Sequence, residues 1–520
     1  MRSFIPLSLL SLIQASSVFA IRFPFRVRTD PVLRPRHDLY ARANGSEGIT
    51  VKNTQNVQYI GNISLGGSEF NVVLDTGSSD LWVAGTVANT QDTGTSVTLS
   101  YAIGQANGDI NTATLGFDNY TVENQAYVLV TDTSTFSTDI ESQGYQGLIG
   151  LGPNTGSVIR EKVDNASGDS PLFRIFSQNT TTSNFLTILL NRANDPGQTY
   201  NGEFTIAEVV SGYENITSQA KLKIKDVPTL TDTDQHWAVF TDAYGLIGPD
   251  GNPIDYDSIV PRAPDNQLVA VLDSGFSYSQ VPRDVADAIY GRVASAEYDE
   301  TNEIWTLPCD VELNITFKFG GVDFPIHPLD TVSNDIPTTD SSGKSVCIGA
   351  YQPITSAFSL LGEYDMILGM SFLRNAYALI DFGNFVTTSS NDQVDPYVQL
   401  LPLTHNATAH ADFVKLRLNG TDTTATQTLV PSSQESHSPE STSEKKQQAE
   451  GAVLRNWPYI LVGCLAFVII LVSLTIWGCC KRVKKRRAAA AARNGMGGGI
   501  QMGMARSSQH GNTNAYHPLH

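Results

Sequence analysis

Cysteine is scarce in this chain. Five occur in 520 residues, none before Cys309, and no CxxC or Cys/His spacing is present. That excludes a disulfide-dense scaffold and gives no reason to expect a bound metal. Basic residues are scarce as well: residues 51–480 hold 19 Lys/Arg against 49 Asp/Glu. So acidic a body argues against nucleic acid as a partner and for solubility in a mildly acidic exterior, and it would also attract basic substrates. Residues 481–520 invert the balance, with eight Lys/Arg and no acid. Long apolar runs number two. The first, Phe4 to Ile13, is too short to span a bilayer, and the second, Trp457 to Trp477, is 21 residues without a charge.

These features divide the chain. Residues 1–20, with an early Arg and small residues near Ala20, read as a cleaved signal peptide. Residues 21–50 carry six Arg and three acids and form a basic arm without a Lys-Arg processing pair. From 51 to 402 the text is rich in Thr, Val, Tyr and Phe with alternating apolar positions, as in Val97–Tyr101 and Tyr127–Val130, which predicts an all-β fold of short strands and tight turns. A helix is expected from Arg283, where Val285, Ile289 and Val293 recur at near-helical spacing. Residues 403–455 turn to Thr, Ser, Gln, Glu and Pro with little to bury, and from about 420 they read as a disordered stalk with hydroxyls open to O-glycosylation. Residues 456–478 predict one transmembrane helix, with Trp457, Tyr459 and Trp477 at the interfaces and Lys481 to Arg487 on the cytoplasmic side. The tail, 479–520, reads as basic and disordered; its Cys479-Cys480 pair is either acylated or left as free juxtamembrane thiols. A glycolipid anchor would need a C-terminal apolar tail, and polar and basic residues stand there instead.

Nine Asn-x-Ser/Thr sequons, at Asn44, Asn62, Asn119, Asn165, Asn179, Asn215, Asn314, Asn406 and Asn419, all precede the apolar helix. With the signal peptide they favour a glycosylated ectodomain and a single-pass type I protein at the cell surface or in a secretory or vacuolar membrane.

The chemistry is written twice. Val72-Val73-Leu74 leads into Asp75-Thr76-Gly77-Ser78, and 198 residues later Ala270-Val271-Leu272 leads into Asp273-Ser274-Gly275. One such Asp-x-Gly is ordinary turn chemistry. The second copy, and an apolar-apolar-Gly element after each (Ile149-Gly150 and Leu368-Gly369), suggest a duplicated unit that presents two carboxylates to one site. An apolar strand delivers each acid to a buried interface, the small hydroxyl bonds across it, and glycine permits the turn.

Residues 57 to 402 resemble the pepsin-like aspartic proteases. The resemblance rests on Tyr59 to Gly66, on DTGSSDLWV at 75–83, and on the closing elements Ile367-Leu368-Gly369, Phe372-Leu373-Arg374 and Tyr377 to Asp381. It implies a bilobal double β-barrel with an N-lobe at about 51–215, a C-lobe at about 216–402 and a cleft between them, in a monomer acting on peptide or protein substrates without a cofactor or metal. It further implies catalytic roles for Asp75 and Asp273, inter-lobe hydrogen bonds from Thr76 and Ser274, support from Gly77, Ser78 and Gly275, and a Cys309–Cys347 disulfide. The flap would be the hairpin around Tyr101 to Gly104, with Trp82 bonded to the Tyr101 hydroxyl. Residues 21–50 would be a propeptide covering the acidic cleft. Fungal cell-surface aspartic proteases are similar, although those are usually held by a glycolipid.

The chain departs from the family at four points. The disulfide that many relatives carry after Leu81-Trp82-Val83 is missing. Phe276 stands where a Thr or Ser would donate to the second carboxylate, which should raise the apparent pKa of Asp273. Ala102 and Ile103 replace the usual flap Gly and Thr, and Met370 replaces an acid after the closing Leu-Gly. Two readings stay open on these residues: an acid-acting endopeptidase, or a catalytically weak relative whose cleft binds peptides or glycans.

Overall fold

The computed structural model describes residues 21–24, 26–27 and 58–495, apart from 102–103, 118–119, 137–138, 179–182, 193–201, 227–234, 341, 355–362, 384–385, 387–394 and 441. The signal peptide, most of the basic arm, Asn44, Asn119, Asn179, the flap residues Ala102 and Ile103, and the tail beyond 495 fall outside the described residues.

The chain up to 402 is predominantly β, in two lobes. Tyr59–Leu65 shows how the alternation works: Tyr59, Ile63 and Leu65 are buried while Asn62 faces out. Seven strands of the first half join one eight-stranded sheet, with Arg26–Val27 at its edge. The second half builds smaller sheets of five, three and four strands. Both halves repeat one local plan. The strand Ser68–Asp75 runs parallel to Gly147–Gly150, placing Asp75 opposite Gly150. Val269–Leu272 runs parallel to Met366–Leu368, placing Leu272 opposite Leu368. In each half the apolar-Gly strand pairs antiparallel with the strand that follows the acid turn, Leu81–Ala84 or Ser279–Val281. Those strands are buried on both faces, which is why their sequences are continuous apolar runs and do not alternate.

A six-stranded sheet draws on both halves, in the order Ile21–Pro24, Gly202–Ile206, Phe185–Leu190, Ala376–Asp381, Tyr397–Pro402, Leu222–Lys223. Leu186 pairs with Ile380 across the halves, so one apolar core runs through Leu74, Ile149, Leu272, Leu368 and Phe382. The first residues of the expected basic arm are an edge strand here, Ile21 opposite Ile206. The helix expected near Arg283 spans Arg283–Tyr290 and buries Val285 and Ile289. Cys309 and Cys347 are joined, with Cα atoms 5.0 Å apart. The six described sequons, at Asn62, Asn165, Asn215, Asn314, Asn406 and Asn419, are all exposed.

The expected stalk is different in kind. Residues 403–440 lie along the second lobe, beginning with the helix Asn406–Arg417, whose Ala409 and Phe413 are buried. Leu429 packs on the core, and Ser438 is buried against Asp287. Composition misled because the segment holds on through hydrogen bonds and a few apolar plugs, with no apolar stripe to announce it. Beyond it, the helix Thr442–Gly495 contains a stretch, Pro458–Arg493, long and apolar enough to cross a membrane, with Leu465, Phe467, Ile469 and Trp477 fully out in the open.

One buried ionic node underlies the shared sheet. Asp330 accepts from Arg192 Nε at 2.7 Å, Arg374 Nε at 2.6 Å and Asn375 Nδ2 at 2.9 Å. Burial alone would push this acid up, but Arg192 and Arg374 hold it below the usual carboxylate range. Burial and the same arginines push His327 down to about 3, so its neutral ring accepts from Leu329 N and caps the turn Pro328–Thr331. Replacing Asp330 by Ala leaves two buried guanidinium groups without their carboxylate. We expect a loss of roughly 3–5 kcal/mol of stability, read by denaturant unfolding; a loss below about 1 kcal/mol would show the node to be dispensable.

Candidate active site

The two acid turns meet at the centre of the cleft. Asp75 and Asp273 are each 5% exposed, and each leaves its strand into a turn whose second following amide returns to its carboxylate: Gly77 N to Asp75 Oδ1 at 2.9 Å, Gly275 N to Asp273 Oδ1 at 2.7 Å. Behind the acids, the two small hydroxyl residues exchange four hydrogen bonds across the halves. Thr76 Oγ1 donates to Leu272 O at 2.9 Å and accepts from Ser274 N at 2.9 Å. Ser274 Oγ donates to Leu74 O at 2.8 Å and accepts from Thr76 N at 3.1 Å. Each residue ties its neighbour's backbone on both sides of an acid, so neither carboxylate can shift without the other.

Glycine is required here by proximity. A Cβ on Gly77 would stand 2.1 Å from Asp273 Oδ2, and one on Gly275 would stand 2.4 Å from Asp75 Oδ1. Each turn therefore lies directly against the other lobe's carboxylate. The pair touches: Asp273 is pushed well above the usual carboxylate range by burial, by the neighbouring Asp75 and by its hydrogen bond to that acid.

The pair is not symmetric. Ser78 Oγ donates to Asp75 Oδ2 at 2.5 Å. At the matching position, Phe276 offers Asp273 only its backbone N–H, while its ring packs in a cluster with Val260, Val269, Tyr364 and Ile367. Its carbonyl accepts from Met370 N at 2.7 Å, so a backbone hydrogen bond joins the two departures from the family pattern.

The flap hairpin pairs Gln91–Tyr101 with Gly104–Phe117, Tyr101 opposite Gly104. Tyr101 is half-buried with its ring 6.3 Å from Trp82, and Trp82 stacks on Phe136 at 5.1 Å. The hydroxyl lies near Trp82 and Ser78, and burial beside Asp80 and Asp75 keeps its proton on far past the ordinary range. Trp82 Nε1 itself is buried without a hydrogen-bond partner among the described residues. The indole nonetheless bears on the Tyr101 hydroxyl as a hydrogen-bonding neighbour, short of ideal geometry. Gly104 sits against Thr135, whose Oγ1 donates to Gln105 O at 2.5 Å.

Sequence reasoning missed two supporting acids. Asp80 takes Ser157 Oγ at 2.5 Å and the amides of Val158 and Ile159, capping the helix Val158–Val163. Asp365 takes Ser258 Oγ at 2.7 Å and the amides of Ile259 and Val269, beside the second acid strand. Both are buried carboxylates satisfied by local donors. An acid next to an apolar run was the available signal, but it looks the same as a turn residue until its donors are seen.

A cleft with one buried acid from each of two duplicated β-lobes defines an aspartic-type endopeptidase. The chain belongs to the eukaryotic aspartyl protease family, whose model matches residues 58–389. It is similar to "Major aspartyl peptidase 1" of Cryptococcus neoformans var. grubii, 26% identical over 68% of this chain and 74% of that protein. It is also similar to "Aspergillopepsin-1" of Emericella nidulans, 25% identical over 67% of this chain and 81% of the other. "Probable vacuolar protease A" of Trichophyton verrucosum is 24% identical over 66% and 80%.

Gly77→Ala must displace the Asp273 carboxylate. Peptide cleavage should fall by at least about 10²-fold, as expected for reacting groups moved by an ångström, while circular dichroism stays native; full activity in a folded Gly77→Ala protein would contradict the close approach.

Proposed function

We propose that this protein is a catalytically active, membrane-anchored endopeptidase that hydrolyses peptide bonds in acid, with Asp75 and Asp273 activating a water between them. The observation that supports it best is the locked pair of buried acids, touching each other and gripped through Thr76 and Ser274. Two carboxylates this close share a single proton and titrate as a pair. The ionised member takes a proton from the water as its oxygen attacks the scissile carbonyl, and the protonated member donates to the carbonyl oxygen as the tetrahedral species forms. Tyr101, Gly104 and Trp82 would border the bound peptide and exclude solvent when the flap closes.

For location, the exposed apolar stretch Pro458–Arg493 supports one membrane span, with the protease domain on the extracytoplasmic side and the basic segment from Lys481 inside. A cell-surface, secretory or vacuolar membrane fits the sequons and the acidic body, as does action by a monomer on protein or peptide substrates.

The test is cleavage of a diverse peptide mixture across an acidic-to-neutral range. Asp75→Asn and Asp273→Asn should each lose about 10²–10⁴-fold in rate or more, and a statine-type transition-state mimic should block the wild type. A folded protein that binds the mimic and cleaves nothing would make the cleft a binding site instead.

The pH profile carries a second prediction. Phe276→Thr supplies a hydroxyl to the charged form of Asp273 and so lowers a pKa that burial and Asp75 have raised. The pair then loses its shared proton at lower pH, so the upper limb of the rate profile should move toward acid. An unchanged or upward-shifted limb would refute this account of the asymmetry.

A further inference from the structure

We propose that residues 403–440 form an acid-tightened clasp on the second lobe, with His410 between Glu312 and Asp422 as its proton-dependent latch. The segment reaches the lobe at several separate points. Phe413 is fully buried, and Arg417 donates to Val332 O at 2.8 Å and to the bonded Cys347 Sγ at 3.1 Å. Gln427 accepts from Glu312 N and donates to Asp310 O. Val430 N donates to Arg292 O, and Arg292 Nε donates back to Val430 O. At the far end Ser436 N meets Gly291 O, and Ser438 reaches Asp287 through both its amide, at 3.0 Å, and its hydroxyl, at 2.6 Å.

The latch follows from donor counting. His410 Nδ1 stands 2.9 Å from Glu312 Oε2, and its Nε2 stands 3.4 Å from Asp422 Oδ2. Both ring nitrogens face carboxylates, and only the imidazolium has a donor on each. A neutral ring must turn one lone pair toward a carboxylate. Glu312 is 7% exposed in its side chain, so a neutral His410 also costs it the cationic partner that compensates burial. The hydrogen bond to Glu312, followed by the charges of Glu312 and Asp422, raises the His410 pKa.

The far anchor is a second, separate hold. Asp287 faces Ser438, His437 at 3.6 Å and Trp305 Nε1 at 3.1 Å, with Arg283 donating to Ser438 Oγ beside it. Burial pushes Asp287 up, while the Ser438 hydroxyl and amide that make this anchor favour its ionised form, so the anchor carries no preference for acid. A raised histidine gives its full contribution below the ordinary His pKa and loses it as pH climbs through the raised value. The latch is thus the group on the clasp whose hold depends on pH in this way. Nearby, Asp412 lies 3.8 Å from the neutral His327, and Arg292, which bonds Val430 O, also pairs with Asp250 at 2.8 Å. The His410 latch therefore holds in acid and slackens toward neutrality. A slackened clasp turns packed chain into tether between the second lobe and the apolar helix. None of these groups touches the two catalytic acids, so loss of the clasp and loss of cleavage are separable.

Amide hydrogen exchange on the full-length chain in detergent micelles tests this, with peptides from 421–440 referred to the core strands 185–190 and 376–381. Between about pH 5 and about pH 7.5, clasp protection relative to the core should fall at least about threefold in the wild type. His410→Gln should show the low, neutral-pH protection at both values. His410→Lys, which keeps a cation throughout, should hold the clasp at both. Equal wild-type protection at the two pH values, or a His410→Gln protein that keeps the full pH dependence, would overturn the proposal. Loss of core protection in His410→Gln would shift the decision to His410→Lys, whose clasp opening at neutral pH like the wild type would equally overturn it.

Discussion

Everything in this molecule depends on holding two carboxylates in contact away from water. Left to themselves the acids would separate and hydrate, because like charges repel and burial penalises both. The four hydrogen bonds between Thr76 and Ser274 prevent that by joining backbone to backbone across the lobes. The fit of Gly77 against Asp273, and of Gly275 against Asp75, removes the remaining slack. Neither lobe has a working site alone. The shared six-stranded sheet follows from the same need, since a hinge between lobes with separate cores would let the pair drift.

The titrating groups elsewhere answer acid in different directions. Asp330, held low by two arginines, contributes its stabilisation above the ordinary carboxylate pKa and gives it up only as pH falls through its own lowered value. His327, kept neutral by burial while the unfolded chain would take up its proton, costs stability as pH falls below the ordinary His value. The histidine at the surface, His410, has the opposite setting and gains from acid. The core histidine and the clasp histidine therefore respond to acid with opposite signs.

Much of this was legible in the sequence, for identifiable physical reasons. Asp75 and Asp273 could be read because a strand end that must be apolar, then acidic, then small, then glycine has few alternative explanations when repeated. The apolar helix after Trp457 was legible because a bilayer demands length without charge. The second-lobe disulfide came through family resemblance. What stayed hidden was held by polar detail. Residues 403–440 carry the composition of a stalk, yet they lie on the lobe through Ser438, Gln427 and Arg417, whose partners are 70 to 151 residues away in sequence. Asp80 and Asp365 look like turn residues until their donors, 77 and 107 positions distant, come into view. Trp82 was placed beside Tyr101 correctly, but whether their polar atoms bond depends on a flap conformation that residue types do not encode.

Phe276 shows how one apolar substitution can act on a site without entering it. A hydroxyl in that place would equalise the two acids, as Ser78 does for Asp75. An aromatic ring instead completes the cluster of Val260, Val269, Tyr364 and Ile367, so the second acid gains a firmer support and loses a donor in one exchange. The ring supports the turn that sets Asp273 against Gly77, while the acid keeps only backbone donors from that turn; a hydroxyl restored there would favour its charged form and so work against the burial and the neighbouring Asp75 that raise it.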